Sequence, residues 1–176
     1  MTGEYVPYDF DMYDPGVIEG VLSEDGMTFS GKWIESGSFI DTLADDNMSF
    51  TANGSSNPVA TMTQPYSFTF IAQRSGDIDP ENLWNGSWST DRKIYEFIQN
   101  GTAVTGVNQP LPGVDDESGI MEGTVSEDGR TISGTWTETG LLVFVISDDG
   151  TSINATINES LDPASIADIV TFTKVI

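Results

Sequence analysis

Two tryptophan–carboxylate pairs are the residues best placed to do chemistry: Trp33 with Glu35, and Trp136 with Glu138. Partners two apart share a face if the chain there is extended. An indole beside a carboxylate then makes an aromatic floor with one charged group above it, as a small-ligand or carbohydrate pocket requires. Tyr95, Phe97 and Gln99 share a face in the same way, and Trp84 and Trp88 lie just before them. The candidate ligand-binding set is therefore Trp33, Glu35, Trp136, Glu138, Trp84, Trp88, Tyr95 and Gln99. In the plainer reading, the tryptophans fill a core and the two glutamates are solvated strand ends beside Gly37 and Gly140.

Other chemistries find less purchase. The chain has no Cys and no His, so it holds no disulfide, no thiol nucleophile, no Ser–His or Cys–His dyad and no zinc-hydrolase site. A carboxylate-only glycoside hydrolase needs two carboxylates at a set separation with one pKa raised. Acidic residues are plentiful and nothing selects a pair. Asp77, Asp79 and Glu81 form the best oxygen-ligand cluster for calcium, without the spacing of a full calcium loop. No cofactor is implied.

The elements that must position these residues are repeated. Glu19–Gly37 and Glu122–Gly140 share Gly, Ser-Glu-Asp-Gly, Ser-Gly and Trp at one spacing; Gly20 and Trp33 recur 103 residues later as Gly123 and Trp136. The register holds from Thr2-Gly3 (Thr105-Gly106) to Ala52 (Ala155), and after a slip of one residue Phe68-Thr-Phe70 meets Val170-Thr-Phe172. Such a period is the size of a small domain, so the chain is a tandem duplication.

Within each copy, short runs of Thr, Ser, Val, Ile and aromatics alternate with turn residues. Asp-Gly at Ser23–Gly26, Ser126–Gly129 and Ser147–Gly150 predicts tight hairpins. No 3.6-residue period is sustained; a single helical turn fits 163–168. The fold class is all-β. The second copy predicts strands at 84–90, 93–99, 102–108, 119–126, 131–138, 141–147, 151–158 and 167–175. One face of successive strands reads Trp84-x-Gly86-x-Trp88, Val104-x-Gly106-x-Asn108, Met121-x-Gly123-x-Val125 and Ile132-x-Gly134-x-Trp136. Glycine between bulky inward residues suits a tightly coiled sheet, so each unit is expected to be an antiparallel meander closed as an up-and-down barrel.

The units are placed at 1–74 (about six strands) and 84–176 (about eight), with a polar linker at 75–83. The first lacks equivalents of 84–90 and 93–99. Three readings follow: the chain begins inside a repeat, the first unit borrows Trp84–Gln99, or the strands come from another molecule by strand exchange. Leu141–Ile146, apolar on both faces, is expected to pack unit against unit.

With Lys+Arg 6 against Asp+Glu 28, the net charge is −22. Nucleic acid and anionic membranes are disfavoured partners, and no apolar run is long enough to insert in a membrane. Sequons stand at Asn47, Asn53, Asn85, Asn100, Asn154 and Asn158. That is more than the about two expected by chance, and it points to a glycosylated extracellular or cell-surface protein whose signal peptide lies outside this chain.

The Trp84-x-Gly-x-Trp88, Val104-x-Gly106, Gly119-x-x-x-Gly123-x-Val125 and Ile132-Ser-Gly-Thr-Trp-Thr-Glu138 motifs resemble a loose group of uncharacterised exported repeat domains of methanogenic archaea and bacteria. Asn108 departs from the aromatic usual there. The resemblance implies an architecture and no activity. A weaker likeness to avidin-like and lipocalin-like barrels does not extend to their ligand-binding residues. The expected function is a non-enzymatic structural or adhesive surface module, paired with itself by strand exchange or unit packing. The alternative is a small-ligand or carbohydrate binder using the barrel mouths.

Overall fold

A computed structural model describes residues 1–5, 15–58, 65–114, 116–159 and 167–173. Its twelve strands follow chain order: β1 (Thr2–Tyr5), β2 (Gly16–Leu22), β3 (Thr28–Leu43), β4 (Ser49–Ser56), β5 (Ser67–Ser75), β6 (Gly86–Ser89), β7 (Lys93–Asn100), β8 (Ala103–Pro110), β9 (Gly119–Val125), β10 (Thr131–Ile146), β11 (Ser152–Asn158) and β12 (Ala167–Thr173). Each pairs antiparallel with the next, and β3 also pairs with β10. The described residues contain no helix. Of the helical turn expected at 163–168, residues 163–166 lie outside the described residues, and Ala167 and Asp168 belong to β12.

The β3–β10 ladder closes the barrel. The second half of β3 pairs with β4, the first half of β10 pairs with β9, and the two strands pair with each other from Thr28↔Val145 to Thr42↔Thr131. An eight-stranded barrel runs β3-β4-β5-β6-β7-β8-β9-β10. Beyond it, the first half of β3 carries β2 and β1, and the second half of β10 carries β11 and β12. Glu35 faces Glu138 at the centre of the ladder. Because these are equivalent positions of the two copies, a pseudo-twofold axis passes between them. The barrel thus takes β3–β5 from the first copy and β6–β10 from the second. The strands on either side of the 75–83 stretch, β5 and β6, are neighbours in one barrel.

The hairpins form as their chemistry dictates. Gly26, Gly129 and Gly150 have φ of 73°, 76° and 67°, and in each turn the Ser hydroxyl donates to the Asp carboxylate (2.6, 2.5 and 2.7 Å). A fourth turn, Ala44–Asn47, puts Asn47 in the left-handed region at φ 57°, a residue type that tolerates it.

Inward glycines pack as the alternation requires, with Gly123 opposite Gly134 and Gly106 against the Phe97 ring. Gly86 differs: it is exposed, with φ 121°, because Trp84 lies ahead of the strand and the chain turns at this glycine.

Three expectations are corrected. Strands 131–138 and 141–147 are one continuous strand, because Gly140 does not break it; Glu35 and Glu138 therefore sit mid-strand, both buried. Leu141–Ile146 joins the two halves through its edges, hydrogen-bonding to β3 and β11, while Val145 is exposed. Finally, the β11–β12 register pairs Ala155 with Val170, as Ala52 pairs with Phe70. Phe70 therefore corresponds to Val170 and not to Phe172, because the ladder pairing and not side-chain likeness sets the equivalence.

Candidate functional site

One end of the barrel is solid. Phe50 packs on Trp84, Trp88 and Phe97 with ring centroids 5.6, 5.1 and 6.0 Å away, and the Trp84 and Trp88 side chains are wholly buried. Arg74 plugs this end. Its guanidinium lies 3.9 Å from the Trp88 ring centroid and donates to the carbonyls of Asn47, Leu83 and Asn85, so the buried cation is fully held.

The other end is hollow. A cavity of about 280 Å³ lies among Phe39, Phe68, Phe70, Tyr95, Met121 and Trp136, with Tyr66, Asn108, Asp116, Glu138 and the β6–β7 turn also lining it. Lys93 organises this region: Nζ binds Glu138 Oε1 at 2.6 Å and Asp116 Oδ1 at 2.9 Å, and Arg92 Nε holds Asp116 Oδ2 at 2.8 Å. Burial alone would lower the Lys93 pKa, but its two carboxylate partners outweigh that and raise it. Asp116 is held below the usual carboxylate range, since its hydrogen bonds and the Lys93 charge exceed the cost of burial. Neighbouring Glu117 goes the other way, pushed up to about 9 chiefly by burial. Burial also raises the Tyr95 phenol.

Asp41 is the outlier. It projects inward from β3 between Phe39 and Leu43, with Ala52 and Ile132 beside it on the adjacent strands. Its side chain is fully buried, neither carboxylate oxygen has a hydrogen-bond partner, and burial pushes its pKa up to about 8. Asn108 Oδ1 and Trp136 Nε1, also lining the cavity, are buried without partners. Such groups are costly unless something satisfies them. Asp41 stands out in the sequence only when the copies are aligned: its equivalent is Phe144, which stacks on Phe29 at 6.0 Å. Asn108 shows in the sequence only as the polar residue ending the Val104-x-Gly106-x-Asn108 run, while Lys93 and Asp116 carry no local motif and could not be selected from spacing.

Of the sequence-derived ligand set, Trp136, Glu138 and Tyr95 come together in the cavity. Trp84 and Trp88 belong to the solid end. Gln99 serves the backbone there, its Oε1 accepting from Trp84 N–H and its Nε2 donating to the Gly101 carbonyl. Trp33 and Glu35 lie across the pseudo-twofold axis, outside the cavity lining, with Trp33 Nε1 donating to the Asn158 carbonyl (3.1 Å).

Asp79 is engaged by Glu81 N–H, Asn82 and Asn85 and so ties down its own loop, while Asp77 and Glu81 are exposed. No cluster suited to a metal ion exists among the described residues. Among the sequons, Asn53, Asn100 and Asn154 are exposed. Asn47 is half-buried in its turn, the Asn85 amide donates to Asp79, and Asn158 is buried. Comparison with models of known protein families, with curated proteins and with solved structures gives no match.

Proposed function

We propose that this protein is a non-catalytic binder of small organic amines, taking the ammonium group to Asp41 and the apolar body against the aromatic wall. The observation that carries this is the Asp41 carboxyl, fully buried with both oxygens unpartnered beside an aromatic cavity. The two cations at the cavity, Arg92 and Lys93, are already bound to Asp116 and Glu138. A cation from outside supplies the missing counter-charge, and the faces of Phe39, Phe68, Phe70, Tyr95 and Trp136 favour it further. Pockets for ligands run from about 300 Å³ upward, so at about 280 Å³ the occupant is small.

The cavity supports binding over a purely structural or adhesive role, because small barrels without a ligand fill their interior with side chains. Its largely apolar wall suits an amine better than a carbohydrate, which needs more hydrogen-bond partners. A glycoside hydrolase finds less support, since Glu138 and Asp116 are tied to Lys93.

Titration calorimetry with arylalkylamines and their isosteric alcohols tests the reading. At pH 7 the empty site holds Asp41 neutral, so an ammonium ion binds with release of about one proton, and affinity rises about tenfold per pH unit up to about pH 8. Amines are expected to bind and alcohols not, and Asp41→Asn is expected to lose at least tenfold in affinity and all of the proton release. Equal binding of amine and alcohol, or an unaffected Asp41→Asn variant, overturns it.

A further inference from the structure

The second set of strands, β1-β2-β3-β10-β11-β12, repeats the barrel with two strands fewer. Its ladders copy those of the barrel across the pseudo-twofold axis: Gly16↔Glu35 matches Gly119↔Glu138, and Gly37↔Ser56 has its counterpart one copy on, where β10 meets β11. In the barrel, β6 and β7 stand between β5 and β8. The counterparts of β5 and β8 in the open half are β12 and β1, and no strand bridges them among the described residues.

Several inward side chains of the open half are exposed where their equivalents in the barrel are buried. Phe50, packed on Trp84, Trp88 and Phe97, is 1% exposed, while its equivalent Ile153 is 37% exposed. Ala72 is 0% exposed, but Phe172 at the same position of β12 is 51% exposed. Leu22 is exposed where Val125 is buried. At the end of β11, the Asn158 carboxamide oxygen is buried without a partner. Two open strand edges flanking an apolar face make a site for strand addition.

We propose that the open half is a docking site for a β-hairpin of the Trp84–Asn100 type, contributed by a further copy of this repeat. Pairing with β12 and β1 completes a second eight-stranded barrel, and two inward tryptophans cover Ile153 and Phe172. The hairpin of this chain's own barrel is not the donor, because Trp84 and Trp88 are wholly buried where they are. Trp84–Asn100 carries Asp91 and Glu96 against Arg92 and Lys93. Being neutral, it approaches a protein of net charge −22 without repulsion.

Two measurements test this. A fluorescent peptide of residues 83–101 is titrated into the whole protein, with amide exchange followed by mass spectrometry. The expected result is one-to-one saturable binding with protection of β1 and β12 and none of β5 or β8. Ile153→Asp, on the exposed face, is expected to weaken binding at least tenfold, and so is replacing both tryptophans of the peptide by Ala. Because an isolated hairpin folds poorly, the second measurement appends residues 76–100 after Ile176 and reads Tm. A rise of several degrees that Ile153→Asp abolishes supports the proposal. Equal binding of a scrambled peptide, protection at β5 and β8 instead, or an unchanged Tm on fusion overturns it. So does dimerisation of the protein alone through β1 and β12, which would make a second copy's open half the occupant.

Discussion

At the scale of single residues, the buried, unpartnered Asp41 costs stability. Its folded pKa of about 8 exceeds that of an unfolded aspartate, near 3.8, so between these values the folded state holds more protons than the unfolded one. Stability then falls as pH rises through that window, by up to about 1.4 kcal/mol per pH unit, and levels off above it. Glu117, raised to about 9 by burial, adds a slope of the same sign over a window reaching higher. The turn carboxylates Asp25, Asp128 and Asp149 have depressed pKa values, so their contribution is lost only in strong acid. Urea unfolding from pH 5 to pH 9 is expected to show the decline. Asp41→Asn is expected to flatten it by about one proton and to stabilise the empty protein at pH 8. An unchanged pH profile in that variant would mean that the carboxyl is solvated.

At the scale of elements, β3 and β10 decide the fold, and the sequence read them as broken at Gly37 and Gly140. Glycine after a Trp-x-Glu run resembles a strand end; here it serves close approach instead. A Cβ on Gly140 would lie 1.9 Å from the Asn158 carbonyl oxygen and 2.5 Å from Trp33 Nε1, and Gly37 stands likewise to Ser55 and Trp136. Each glycine is the seat of the other strand's indole, a relation between residues about 100 apart that no local pattern announces. The hairpin turns, the inward glycines and the barrel were legible because each follows from chemistry within a few residues. The pairing of β3 with β10, the Lys93 cluster and the solitary Asp41 depend on partners far away in the chain. Gly140→Ala is expected to cost about 1–3 kcal/mol by overpacking, seen as a lower urea midpoint with shifted Trp33 emission, whereas Gly3→Ala, with no atom within 4 Å of the added carbon, is expected to be silent.

At the scale of the whole molecule, the repeats are interleaved, and neither copy holds a complete barrel. The second copy supplies β6–β10 and needs three strands of the β3–β5 kind, which its own β10–β12 provide only to a partner across the axis. Residues 84–176 alone are therefore expected to fold as a symmetric dimer, with two closed barrels and Glu138 facing its symmetry mate. Sedimentation and concentration-dependent unfolding check this. A folded monomer of that fragment would show that the interleaving is dispensable.

In such a homodimer every substitution lands twice, once in each barrel, and no chamber can change without its twin. Covalent fusion of the copies removes that constraint. A carboxyl can then stand at position 41 while a phenyl ring fills position 144, so the two halves are free to diverge in what they enclose.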